Sequence, residues 1–70
     1  DRLMEEASKF PEVIQIHGFY VDVEDGIIDF DIVVDFHADD ARIRNTIVTA
    51  MKQDFPNYTF NVVLDSDFIE

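Results

Sequence analysis

Residues 27–37 alternate with a period of two: Ile28, Phe30, Ile32, Val34 and Phe36 against Asp29, Asp31, Val33, Asp35 and His37. Successive side chains of a strand point to opposite faces, so this pattern describes a strand with one buried face and one wetted, acidic face. Any fold must cover one side of this strand and leave the other to solvent. Asp25-Gly26, just before it, is a strong short hairpin signal and predicts an antiparallel partner over residues 14–24.

That partner changes phase. Ile14 and Ile16 are even-numbered, Phe19, Val21 and Val23 are odd, and Gly18 sits at the break. A glycine inside a strand pattern suggests a bulge, which adds one residue and resets the alternation. If Glu24 faces Ile27 across the turn and Gly18 is the extra residue, the five apolar side chains of this strand share the face of Ile28, Phe30, Ile32, Val34 and Phe36. His17 then falls opposite Val33 on the polar face.

Two helices complete the pattern. Leu3, Met4, Ala7 and Phe10 have helical spacing over Arg2 to Phe10, and Pro11 stops that run. Asp39 or Asp40 is a good N-cap for a second helix, with Ile43, Ile47, Ala50, Met51 and Phe55 on one face and Pro56 ending it. Tyr58, Phe60, Val62 and Leu64 alternate with Thr59, Asn61, Val63 and Asp65 in a third strand. A strand–helix–strand crossover is right-handed and makes its two strands parallel. The expectation is a single α+β domain over residues 1–70. It would be a truncated ferredoxin-like αββαβ sandwich, a three-stranded mixed sheet with two helices on one face. A chain of 70 residues buries only about 60% of its unfolded surface, so oligomerisation is the expected further source of stability.

Charge narrows the partners. Sixteen acidic and five basic residues give a net charge of −11. A phosphate backbone or an anionic lipid surface would repel such a chain, which argues against nucleic acid and direct lipid binding. A cation is the natural counterpart, although acidity also serves solubility alone. The chain has no cysteine, which removes disulfides and thiolate ligands. No apolar run reaches the roughly 20 residues of a membrane span. It opens at Asp1, inside a helical pattern, and reads as a piece of a longer protein. No nucleophile–base pairing or phosphate-cradling glycine loop points to catalysis; an acylphosphatase-like hydrolase is the weakest of the readings.

The expected topology sets the start of the first strand beside the ends of the other two. His17, Asp35, His37, Asp65 and Asp67 would then lie near one end of the sheet, and imidazole with carboxylate suits zinc and other borderline divalent ions. The same residues also fit an ordinary solvated face. Tyr20, Val33 and Val63 are apolar positions on that face and would make a modest dimer contact.

The run Phe10-Pro11-Glu12-Val13, Ile16-His17-Gly18-Phe19, Phe30-Asp31-Ile32-Val33-Val34-Asp35-Phe36, Asp54-Phe55-Pro56 and Leu64-Asp65-Ser66-Asp67 resembles the cytoplasmic C-terminal domain of cation diffusion facilitators. The resemblance covers nearly the whole chain and rests on short element patterns. It implies a regulatory homodimer at the cytoplasmic face of the cell membrane, beneath its own transmembrane metal-efflux part, brought together by zinc, manganese or a similar ion. His17 matches the family's first ligand position, and Asp65 and Asp67 match its last motif with Asp in place of His. Val33 stands at the middle ligand position and cannot ligate, so the implied site is harder and suits manganese. Some members of the family dimerise without tight metal sites, and Val33 fits that pattern.

Overall fold

The computed structural model describes residues 1–67; the side chain of Asp67 lies outside the described set. The elements are α1 (Arg2–Ala7), β1 (Val13–Asp22), β2 (Ile27–Asp35), α2 (Asp40–Asp54) and β3 (Thr59–Asp67). The sheet order is β1-β2-β3, with β1 antiparallel and β3 parallel to β2. This is the α+β arrangement that the patterning predicts: a three-stranded mixed sheet with two helices, consistent with a truncated ferredoxin-like fold.

β2 is the central strand, and its alternation becomes burial. Ile28, Phe30, Ile32 and Val34 are buried, while Asp29, Asp31, Val33 and Asp35 are only partly covered. Ile43, Ile47 and Met51 of α2 close over them with Leu3, Ala7, Phe10 and Val62. Helix α2 starts at Asp39, whose carboxylate accepts from the Arg42 backbone N–H at 3.2 Å, satisfying one orphan donor of the first turn. Helix α1 ends at Ala7, earlier than the expected Phe10, where the Ser8 hydroxyl donates to the Glu5 carbonyl at 2.7 Å. Phe10 still reaches the core through a tight turn, its N–H donating to the Ala7 carbonyl at 3.0 Å. The Arg42 guanidinium lies 5.8 Å from the Phe10 ring centre and ties this turn to α2.

One charged side chain is buried with this core. Glu6 is 4% exposed, and Lys9 Nζ donates to both its carboxylate oxygens at 2.9 and 3.1 Å. Arg2 Nε stands 3.8 Å from Glu6 and 3.6 Å from Asp54, linking α1 to the end of α2. Removing one partner of a buried charge leaves an uncompensated group, whereas replacing that charge itself with an apolar one of similar size is tolerated. Lys9→Met should therefore cost about 1–3 kcal/mol, and Glu6→Leu should cost clearly less. Urea titration of the two variants checks this ordering.

The hairpin differs in register from the sequence expectation. Asp22, not Glu24, faces Ile27, so the turn has four residues, Val23 to Gly26. The shift is two residues, which keeps the paired side chains from Gln15 to Asp22 on their predicted faces. A bulge does fall between His17 and Tyr20, with Gly18 at φ +69°, a conformation that glycine adopts at no steric cost. A second irregularity separates Val13 from Gln15. His17 consequently faces Asp31 rather than Val33.

The apolar side of β1 is also less buried than its pattern predicts. Ile14, Phe19, Val21 and Val23 are exposed, at 48%, 54%, 38% and 74%. The reason is length. Six residues of α1 rise about 9 Å, and ten residues of β1 span about 33 Å. α1 cannot cover the strand beneath it.

Candidate functional site

Among the described residues, no helix lies over the second face of the sheet. Reading across the strands, its rows are Asp22–Ile27–Thr59, Tyr20–Asp29–Asn61, His17–Asp31–Val63, Gln15–Val33–Asp65 and, at the end, Asp35–Asp67. All five Lys and Arg residues lie at positions 2, 9, 42, 44 and 52, in or beside the two helices, and the strands carry none. The molecule is therefore polarised: the open face holds carboxylates, one imidazole and a few apolar side chains, and no cation answers them from the same face.

His17 and Asp31 form the centre of this face. His17 Nδ1 stands 3.8 Å from Asp31 Oδ2, with both side chains about half exposed. That separation suits an ion pair with protonated His17, and it exceeds a hydrogen bond. The Gly18 bulge shapes the pair. A Cβ added at Gly18 would make ordinary contact with Asp31 Oδ2 at 3.4 Å, so it is the backbone φ of +69° and not lack of space that calls for glycine beside His17. One rung away, Asp29 Oδ1 is buried without a hydrogen-bond partner. It is an acceptor on the same acidic face that no donor among the described residues satisfies.

The other expected ligands occupy separate places. Asp65 faces Val33, diagonal to Asp31 and about 12 Å from His17 by strand spacing. Asp35 lies two rungs from Asp31, about 13 Å along the strand. Its carboxylate accepts from the His37 backbone N–H at 2.8 Å and meets His37 Nδ1 at 3.3 Å. The His37 ring packs on Phe36, ring centres 4.0 Å apart. Asp35 and His37 thus shape the turn that leaves β2, a local role that a short acceptor side chain performs well. Asp67 closes β3 opposite Asp35, and its side chain lies outside the described residues. Two His–Asp pairs stand where the sequence suggested one convergent end.

Among the described residues, no three His, Asp or Glu side chains gather closely enough to hold a metal ion within one chain. His17 and Asp31 supply two donors, half of a four-coordinate set. No family model, curated protein or solved structure matches the chain. The functional reading rests on this face alone.

Tyr20 and Val63 are exposed at 58% and 53%, and Val33 is partly covered. They lie in three different rows of the open face, interleaved with Asp29, Asp31 and Asp65. Asp31 is the partner that sequence reasoning missed. Its position on the polar face was legible, but pairing it with His17 required the four-residue turn.

Proposed function

We propose that this chain is a regulatory dimerisation domain whose self-association responds to divalent cations of the zinc or manganese type, in the manner of the cytoplasmic domain of a cation diffusion facilitator. The observation that carries the reading is the His17–Asp31 pair on a sheet face without Lys or Arg. Each chain offers an imidazole and a carboxylate, so a bound ion still needs further donors from water or a second chain. An ion shared by two chains would link metal concentration to association, and it would offset the repulsion between two surfaces of the same sign. Such a domain reports the ion only if the ion binds the associated state more tightly than the separate one. Tyr20, Val33 and Val63 would then supply apolar contact around the bound ion. Within this reading the domain is not an enzyme, and it would sit at the cytoplasmic face of the membrane that holds its transport part.

Sedimentation velocity in EDTA, then with graded Zn²⁺ or Mn²⁺, tests the proposal. Metal should shift the chain toward the dimer, and His17→Ala should abolish the shift. Calorimetry with no binding at millimolar metal would sink it. A second reading, a dimerisation module without physiological metal, is favoured by Val33, which stands between Asp31 and Asp35 on β2 and cannot ligate. It is chosen if the dimer forms equally in EDTA and in metal.

A further inference from the structure

We infer that Asp25 is a site of spontaneous isoaspartate formation, so that the turn between β1 and β2 slowly changes its own backbone linkage. The inference goes beyond the proposed function and does not depend on metal.

The chemistry needs an aspartate whose side-chain carboxyl carbon can be reached by the amide nitrogen of the next residue. A side chain on that next residue hinders the approach, and regular hydrogen-bonded structure holds the nitrogen away. Of the chain's two glycines, Gly26 alone follows an acid, and that acid is Asp25. Asp29, Asp31, Asp35 and Asp54 precede Phe or Ile and lie within β2 or α2. Asp25 is exposed and lies outside both, in the four-residue turn Val23 to Gly26. Its backbone N–H donates to Asp22 Oδ1 at 3.0 Å. Among the described residues, its own carboxylate takes no hydrogen bond or ion pair. The glycine that leaves Asp25 reactive is also one that the turn requires. Gly26 has φ +66°, and a Cβ there would stand 3.1 Å from the Asn57 carbonyl oxygen.

In the first step the Gly26 nitrogen attacks the Asp25 side-chain carboxyl carbon. A C–N bond forms, and the carboxyl OH leaves with the amide proton as water. The product is a five-membered succinimide ring, which water then opens. Addition at the Asp25 main-chain carbonyl breaks its bond to nitrogen and leaves the chain running through the side chain, as isoaspartate. Addition at the other carbonyl restores aspartate. Mass and net charge end unchanged, while the main chain gains one methylene.

That extra atom falls where loop length fixes register. The turn sets Asp22 opposite Ile27 and, further along, His17 opposite Asp31. The Gly26 carbonyl also accepts from the Thr59 N–H at 2.7 Å, which ties the turn to the start of β3. A lengthened turn strains both attachments, so the modified chain should melt at a lower temperature than the parent.

The test is incubation of the folded chain for several weeks at physiological temperature and neutral pH. Isoaspartate is read by methyl transfer from S-adenosylmethionine with an isoaspartyl methyltransferase, and it is placed by electron-transfer fragmentation of the Asp25 peptide. It should accumulate at Asp25 faster than at any other aspartate, and the separated isoaspartate form should show the lower melting temperature. Asp25→Glu keeps the charge and the turn glycine but closes its larger ring far more slowly, so it should lose the signal. Asp25→Asn should gain it sooner, with ammonia leaving in place of water. A folded chain that forms no isoaspartate at Asp25 while the chain unfolded in guanidinium chloride does so would overturn the inference, since the turn would then protect the bond. Equal accumulation at Asp29 or Asp54 would overturn it as well.

Discussion

Phe30→Ala is expected to unfold this domain at room temperature, or nearly so. Phe30 is 1% exposed at the middle of β2 and stacks at 6.2 Å on Phe19. Among the described residues β2 is the one strand with neighbours on both sides, so a cavity there cannot be relieved by an edge moving away. Truncating a buried Phe costs about 3–5 kcal/mol. A chain of 70 residues has a total stability of about 4–10 kcal/mol, so most of it is lost in one substitution. For a domain of this size each kcal/mol moves the midpoint by about 4–8 °C, and a thermal melt by circular dichroism reads the change directly. Val63→Ala is the control. That side chain is 53% exposed on the open face, and its loss should stay within about 0.5 kcal/mol. A Phe30→Ala midpoint within a few degrees of the parent would contradict the core described above.

Much of this core is legible in the sequence because burial in β2 follows directly from alternation. Phe30 must share a face with Ile28 and Ile32, and the aspartates between them must point away. The helix stops are equally local: Asp39 caps α2, Phe55 ends it, and Pro56 follows. The Gly18 bulge is legible too, as a conflict of phase that one extra residue resolves. What alternation cannot supply is register. A period of two fixes only whether two residues share a face, so a hairpin slipped by two positions satisfies the same pattern. Asp25-Gly26 suggests a two-residue turn, and the chain makes a four-residue turn with Gly26 at φ +66°. That slip moves His17 from Val33 to Asp31, and with it the centre of the candidate site.

The second gap concerns β1. Ile16 and Val21 are where the pattern puts them, on the helix side, as the pairing of Val21 with Ile28 and of Ile16 with Ile32 requires, whereas Ile14 falls in the second irregularity and Val13 faces Val34 in its place. Whether a face is buried depends on the element above it, and that is decided by how far α1 extends. Ser8 closes α1 before it can cover the strand. The exposure of Phe19, Val21 and Val23 is thus a tertiary outcome, visible only once the helix and the strand are set side by side.

Metal should raise the melting temperature of this domain, and through a named pair of residues. A ligand that binds only the folded state adds about 2.7 kcal/mol at one hundred times its dissociation constant. By the same scale of about 4–8 °C per kcal/mol, the shift is about 10–20 °C. His17→Ala should remove most of this shift. Its side chain is 48% exposed, so the substitution should change the metal-free midpoint little, and loss of response can be told from loss of fold. Asp31→Asn should behave likewise, since it keeps the shape of the side chain and removes the charge that faces His17. Asp35→Asn gives the contrast: Asp35 is committed to the His37 turn, about 13 Å away along the strand, and its variant should keep the full metal response. If all three variants respond to metal as the parent does, the acidic face is acting by diffuse screening. In that case a high concentration of monovalent salt should reproduce the stabilisation, because screening depends on ionic strength and not on ligand geometry. If only His17→Ala and Asp31→Asn lose it, and salt does not substitute, the ion is held at the pair, and its number per dimer follows from the stoichiometry of the titration.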